Sequence, residues 1–359
     1  MLIGLVGLRC AGKSTVAEYL CREHGFEWIT FRPTHAAGGA HGLPLRHFAS
    51  AEDMLQYVTM HWRSPFVTLD LDTAESIAHF EKRPFFLLAG VEAPMLLRWS
   101  RARAREPDVS APLESLAVAD DVALYGNMSA FSTPALSDTD PDTSGAAGDV
   151  SNLSILRNSG VLVSTSLPSS GTALAPILAQ CQMRITNQFA STAELHQYLD
   201  TLSLPSKHRV RPTWDTYFLS LCNLASLRSN CMKRRVGAVI VRKNRVLSTG
   251  YNGTPRGLTN CNEGGCTRCN GSALCGAQLD ECLCLHAEEN ALLELGRDRG
   301  GAEGTLLYCN TCPCLRCAVK IVQTGVSEVV YQLEYSMDGR SAQIFYNAGV
   351  AFRKYEPPF

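Results

Sequence analysis

His286-Ala-Glu288, followed 25 residues later by Pro313-Cys314-Leu-Arg-Cys317, is the pattern that decides the fold of the C-terminal part of this chain. The residues after each piece predict a helix, over His286–Arg297 and Cys314–Thr324. Two cysteines at i and i+3 in a helix's first turn present both thiolates on one side, as a tetrahedral metal site requires. Pro313 fits the first helical turn just ahead of them. His286 supplies a third ligand and leaves one position open for water, the mark of a catalytic zinc. Zinc makes such a water reactive near neutral pH, and helix N-termini at the metal favour the thiolate form. Glu288, two residues past the histidine, need not bind the metal and is placed to move protons. A structural zinc ribbon is the competing reading, with Cys266-x-x-Cys269 and Cys309-x-x-Cys312 as rival pairs. However, 39 residues separate Cys269 from Cys309, beyond the roughly 15–20 of a compact ribbon. A ribbon also gives the His-Ala-Glu no purpose.

Outward from this core, strands are expected at Val236–Val241, Arg245–Tyr251, Thr305–Cys309, Glu328–Tyr331 and Val350–Arg353, with a helix over Trp214–Arg228. A long cysteine- and glycine-rich loop spans Asn252 to Leu285. Of 15 cysteines, eleven fall between Cys231 and Cys317, which favours metal ligation over disulfides. Cys10, Cys21, Cys181 and Cys222 lie outside that stretch and read as small core residues.

These segments resemble the deoxycytidylate (dCMP) deaminases, particularly their fungal form. The resemblance is carried by Cys231-Met-Lys-Arg-Arg-Val-Gly-Ala-Val-Ile-Val, Ser248-Thr-Gly-Tyr-Asn-Gly-Thr-Pro-Arg-Gly257, Cys261-Asn-Glu-Gly-Gly-Cys266, Cys282-Leu-Cys-Leu-His-Ala-Glu-Glu-Asn-Ala291, and Tyr308 to Cys317. The His-x-Glu and Pro-Cys-x-x-Cys signature is common to zinc nucleobase deaminases. The resemblance implies a cytidine-deaminase-like α/β/α sandwich that converts dCMP to dUMP and ammonia, supplying dUMP for thymidylate synthesis. It also implies a homohexamer activated by dCTP and inhibited by dTTP. By position, Asn252 would hydrogen-bond the substrate's sugar or base, and Tyr335 would help hold the nucleotide. The Gly250–Gly257 loop would contribute to the regulatory triphosphate site. On residue type alone, Asn252 and the glycines would also suit a tight turn, and Tyr335 a packed strand end. A second, structural zinc is also implied, held by Cys231, Cys261 and Cys282, with Cys284, Cys266, Cys269 or Cys275 completing the set.

At the other end, residues 2–7 read as a strand and run into Gly7-Leu-Arg-Cys-Ala-Gly12-Lys13-Ser14. This is a complete G-x-x-x-x-G-K-[ST] P-loop, ahead of a helix over Ser14–Glu23. Backbone amides from Gly7 to Gly12 would cradle phosphates, Lys13 would reach the outer ones, and Ser14 would hold Mg2+ with a nucleoside triphosphate. Strands at Phe66–Leu71 and Phe85–Val91 alternate with helical stretches, which predicts a parallel sheet. Through Ala93-Pro, Arg98-x-x-Arg101 and Ile185-Thr-Asn187 this part resembles nucleoside-monophosphate kinases, dephospho-CoA kinase especially. The resemblance makes Arg98, Arg101, Arg103 and Arg105 a phosphate-clamping lid. Asp70 or Asp72 would serve magnesium or cap a helix. From about 107 to 179, however, Ser, Thr, Pro and Asp dominate, and most of the stretch reads as a disordered insertion where the lid should continue. Nucleotide binding without phosphoryl transfer is the expectation.

The fold class is therefore α/β, in two domains: 1–206, P-loop and kinase-like with an insertion at about 107–179, and 207–359, a zinc-dependent deaminase domain, hinged near Pro205. Eleven Lys and Arg against the single acid Asp215 between Lys207 and Arg256 suit a phosphate-bearing ligand or form a solvated face. Two other functions compete with dCMP deaminase. One is a nucleic-acid-editing cytosine or adenine deaminase; the basic stretch would serve it, but no aromatic interleaving supports stacking of single strands, so no nucleic-acid partner is expected. The other is a non-catalytic zinc- and nucleotide-binding regulator in which Glu288 is idle. No apolar run approaches the roughly 18 residues of a membrane span, so no membrane partner is expected. The N-terminus reads as a strand and not a signal peptide, and a cytoplasmic or nuclear address is expected.

Overall fold

The computed structural model describes residues 1–32, 43–105, 112–126, 173–274, 277–296, 300–334 and 338–358. They form two compact units, Met1–Pro205 and Ser206–Phe359.

In the first unit the strands are β1 (Leu2–Val6), β2 (Glu27–Thr30), β3 (Leu45–His47), β4 (Phe66–Thr68), β5 (Phe86–Glu92) and β6 (Met183–Thr186). They lie in the order β3-β2-β4-β1-β5-β6, and every pairing is parallel. Parallel neighbours need crossover connections. The described helices here are α1 (Lys13–His24), α2 (Ala51–Met60), α3 (Ala74–Glu81), α4 (Met95–Arg105), α5 (Leu113–Tyr125), α6 (Leu174–Gln180) and α7 (Thr192–Leu202). β1 is buried along its whole length and β5 along all but its last residue, as befits strands covered on both faces. β1 lies between β4 and β5, so the loop leaving its C-terminal end sits where the sheet's connections change side. Open α/β sheets bind their ligands at such a point.

The expected insertion is shorter than 107–179. Leu113–Tyr125 and Leu174–Gln180 are helices. α5 is anchored by buried Leu116 and Asp120, and α6 by Leu174 and Ile177. Local composition hid them, because a few apolar residues suffice when neighbouring elements offer the other half of the contact, as α4 and α6 do for α5. Residues 127–172 lie outside the described residues.

In the second unit the strands are β7 (Gly237–Arg242), β8 (Arg245–Tyr251), β9 (Leu306–Thr311), β10 (Glu328–Leu333) and β11 (Ala351–Lys354). Their order is β11-β10-β9-β7-β8. The sheet is mixed: β9, β10 and β11 run parallel, while β7 is antiparallel to both β8 and β9. Its described helices are α8 (Trp214–Ser226), the single turn α9 (Thr267–Asn270), α10 (Ala287–Leu295), α11 (Leu315–Gln323) and α12 (Asp338–Asn347). Strand periodicity sorts the two faces. Ala238 and Ile240 of β7 join Ala287, Ala291, Cys317, Ile321 and Phe345 in one core, on the side of α10, α11 and α12. Val239 and Val241 join Phe218, Leu219 and Cys222 of α8 in the other. The result is a three-layer α/β/α arrangement. Asp215 of α8 accepts hydrogen bonds from Tyr308 Oη at 2.8 Å and Arg353 Nη1 at 2.8 Å, tying that helix to β9 and β11.

Close contact between β8 and α10 fixes where the active residues begin. A Cβ at Gly250 would lie 2.1 Å from the Ala287 carbonyl oxygen and 2.4 Å from the Ala291 nitrogen, both backbone. Around it, Ser248 Oγ donates to Ala291 O at 2.8 Å and Asn290 Nδ2 donates to Tyr251 O at 2.9 Å. Gly250→Ala should therefore push α10 off the sheet, at a cost of about 1–3 kcal/mol or more. Calorimetry should show the melting temperature falling by several degrees. An unchanged melting temperature would contradict this packing.

No described helix is long and apolar enough to cross a membrane.

Candidate functional site

β9 ends at Thr311, and Cys314 becomes the N-cap of α11; His286 is likewise the N-cap of α10. Neither side chain caps its own helix, so both are free to face a shared point. Pro313 therefore stands just outside its helix and not in the first turn. His286 Nδ1 lies 3.3 Å from Cys314 Sγ and 3.4 Å from Cys317 Sγ. Metal–ligand lengths of about 2.0–2.1 Å to nitrogen and 2.3 Å to sulfur give a tetrahedral N–S edge of about 3.6 Å. The three donors thus fit zinc, and all lie within 4.8 Å of one another.

The charges agree with that fit. Hydrogen bonding from Cys317, and then from His286, holds the Cys314 thiol down at about 3. The bond with Cys314 lifts His286 to about 9 against the effect of burial. The lowered Cys314 thiol favours the thiolate form in which cysteine binds a divalent cation.

Glu288, in the first turn of α10, is only 3% exposed. Burial pushes its carboxyl up to about 7, against the pull of His286. A carboxyl that gains and loses its proton near neutral pH suits a general acid and base in turn. The neighbouring Glu289 points elsewhere and forms an ion pair with Lys320 of α11.

Other expected residues have different surroundings. Asn252 is buried, with Oδ1 accepting from Val236 N at 2.8 Å and Nδ2 donating to Arg234 O at 2.8 Å. Its amide thus helps to hold the backbone before β7, and Oδ1 and Nδ2 each keep capacity for one further hydrogen bond. Tyr335 lies outside the described residues, as does Cys275.

Cys231, Cys261, Cys266, Cys269, Cys282 and Cys284 form one cluster. Cys231 and Cys261 share a tetrad with Cys269 and Cys284, whereas Cys282 sits in a neighbouring tetrad with Cys266, Cys269 and Cys284. Cys309 is wholly buried and joins the core beneath α10 and α11, and Cys312 is buried at the end of β9.

In the first unit, Gly7, Gly12, Lys13 and Ser14 frame the β1–α1 connection. A Cβ at Gly7 would lie 2.1 Å from the Val91 carbonyl oxygen, and Gly12 has a φ of 103°. Lys13 Nζ donates to the carbonyls of Gly7 at 2.6 Å and Leu8 at 3.0 Å. Arg101 donates to Cys10 O at 3.3 Å and to Asn187 Oδ1 at 3.1 Å, while Asn187 Nδ2 donates to Ala11 O at 2.9 Å. Arg98, in contrast, is buried in a bidentate pair with Asp120 of α5, at 2.9 and 2.5 Å. The sequence reading missed Asp120 because it lies in the stretch taken as an insertion; only the apolar spacing of Leu113-x-x-Leu116 hinted at its helix. Asp70 accepts from Thr30 Oγ1 at 2.7 Å and Phe31 N at 2.7 Å, and Asp72 is paired with Arg32.

Comparison with known proteins agrees with the second unit's geometry. The family profile "Cytidine and deoxycytidylate deaminase zinc-binding region" matches residues 212–333. The chain is 41% identical over 358 residues to a deoxycytidylate deaminase of Schizosaccharomyces pombe, covering 99% of this chain and 98% of that one. It is 38% identical over 359 residues to the deoxycytidylate deaminase of Saccharomyces cerevisiae, covering 99% and 96%. Among solved structures, a dCMP deaminase from cyanophage S-TIM5 in complex with dCMP and dUMP is 30% identical, covering 40% of this chain and 98% of that one with a TM-score of 0.34. Matched along nearly its whole length by the two yeast proteins, the chain belongs to the deoxycytidylate deaminase family.

Proposed function

We propose that this chain hydrolyses dCMP to dUMP and ammonia at the centre formed by His286, Cys314, Cys317 and Glu288. The observation that carries the proposal is the convergence of three zinc-fitting donors beside a buried carboxyl at the N-termini of two helices. When bound, zinc supplies activation of a water molecule at neutral pH. Glu288 accepts a proton from the attacking water and delivers it to ring nitrogen 3. The proton of the new C4 hydroxyl then passes through the same carboxyl to the exocyclic amino group. The C4–N bond then breaks, ammonia leaves, and the water oxygen stays on C4 as the carbonyl. His286 and the two cysteines hold position and charge, and burial keeps bulk water from short-circuiting Glu288.

An ammonia-release assay over dCMP, CMP, deoxycytidine and single-stranded DNA tests the substrate. dCMP should be turned over well ahead of the others. Preferential turnover of single-stranded DNA would favour nucleic-acid editing, and no turnover by zinc-loaded protein would favour a regulator. Hexamer assembly, dCTP activation, dTTP inhibition, a role in supplying thymidylate synthesis and a cytoplasmic or nuclear site of action belong to the same proposal. So does structural zinc in the cysteine cluster near Cys231.

For residues 1–205 the proposal is nucleotide binding without phosphoryl transfer. The Gly7–Ser14 loop at the sheet's switch point supports the first half, with Lys13 resting on carbonyls it can exchange for phosphate and with Mg2+ at Ser14. Arg98 supports the second half, because Asp120 already neutralises one of the four arginines expected to clamp a transferring phosphate. ATP or GTP titrated into the full chain should release measurable heat, and Lys13→Ala should abolish it. Kinase turnover on nucleoside monophosphates or dephospho-CoA should be negligible; robust transfer would contradict the second half, and no heat in the parent would contradict the first.

A further inference from the structure

Six thiols gathered in one place outnumber what a single tetrahedral ion uses. Cys231, Cys261, Cys269 and Cys284 lie within 4.8 Å of one another, and so do Cys266, Cys269, Cys282 and Cys284. The two tetrads share two members, Cys269 and Cys284. We propose that this cluster holds two zinc ions bridged by the thiolates of Cys269 and Cys284, with Cys231 and Cys261 completing one tetrahedron and Cys266 and Cys282 the other. The inference rests on the reading that the cluster binds zinc at all, and it goes beyond a single structural ion.

Distances support metal over any bridge between sulfurs. Cys269 Sγ lies 3.6 Å from Cys282, 3.9 Å from Cys284 and 3.9 Å from Cys231. A disulfide needs about 2.05 Å. A zinc–sulfur length of about 2.3 Å sets a tetrahedral edge of about 3.8 Å, and the observed spacings straddle it. Cys269 stands at that distance from members of both tetrads, as a bridging ligand must. A lone ion in the first tetrad would leave Cys266 and Cys282 as idle thiols against it; a lone ion in the second would do the same to Cys231 and Cys261.

The surroundings are built for negative sulfur. Met232 N points at Cys261 Sγ from 3.5 Å and Asn270 Nδ2 from 3.8 Å. Arg268 is 9% exposed and sets Nη1 at 4.0 Å from Cys269 Sγ, the shared atom, while Nε and Nη2 donate to the Ala277 carbonyl. Two divalent ions and six thiolates leave two negative charges, and this buried guanidinium offsets one of them. Loading two ions releases up to six thiol protons to solvent. Cys284 is only two residues before His286, so the cluster also anchors the segment that delivers the catalytic histidine.

Metal content of the full chain, purified from zinc-replete culture and measured by elemental analysis against protein mass, decides the matter. About three zinc ions per chain are expected, one at His286 and two in the cluster, with Cys314→Ser removing only the first. Cadmium NMR of the cadmium-exchanged chain should show two tetrathiolate resonances coupled to each other through the shared sulfurs. Two zinc ions per chain, or two uncoupled cadmium signals, would overturn the bridged pair while leaving a single structural zinc. One zinc ion per chain would overturn both readings of the cluster.

Discussion

Glu288→Gln should slow dCMP turnover by about two to four orders of magnitude, the usual worth of a positioned proton carrier. Glutamine keeps the shape, the helix and the hydrogen-bonding oxygen, but cannot take a proton from water or give one to ring nitrogen 3. The parent carboxyl is buried, and burial pushes it up to about 7, above the usual carboxylate range. Because Glu288 is not one of the three donors, the variant should retain its zinc in elemental analysis. Its binding of dCMP should change far less than its kcat. Deamination within tenfold of the parent would remove Glu288 from the proposed mechanism.

Cys314→Ser and Cys317→Ser should fail differently, by losing the catalytic metal. Serine keeps the volume of the side chain, but its hydroxyl stays protonated where the Cys314 thiol is held down at about 3. Losing even an outer-shell partner costs zinc sites about 10–100-fold in affinity, and losing a direct ligand costs more. One zinc ion per chain should disappear, and turnover should fall to background. The cysteine cluster should keep its own zinc, because none of its six thiols belongs to this centre. Full zinc content with normal turnover in either variant would contradict the ligand assignment.

What the sequence made legible was short in range. The β1–loop–α1 unit and the helices starting just after His286 and Cys314 are each written in a dozen consecutive residues, where periodicity acts directly. What stayed hidden depended on distant partners. Cys231 meets Cys269 across 38 positions, and nothing local says that Cys261 shares its tetrad while Cys282 belongs to the next. α12 escaped notice because the Asp338–Asn347 sequence is polar, its packing resting on Phe345 and Ile344 against a core laid down elsewhere. α5 was lost among acidic and small residues, although Asp120 closes on Arg98 with a bidentate ion pair. The clasp that Asn252 makes on Val236 and Arg234 was out of local reach in the same way, since its partners lie 16 and 18 positions away.

Turnover of dCMP in water enriched with oxygen-18, followed by mass spectrometry of the nucleotide product, tests the central claim most directly. Hydrolysis at the His286, Cys314, Cys317 and Glu288 centre predicts dUMP carrying a single heavy oxygen on its base, formed in step with ammonia and abolished when zinc is stripped. Failure of the zinc-loaded chain to form dUMP, or formation of dUMP without the heavy oxygen, would contradict it.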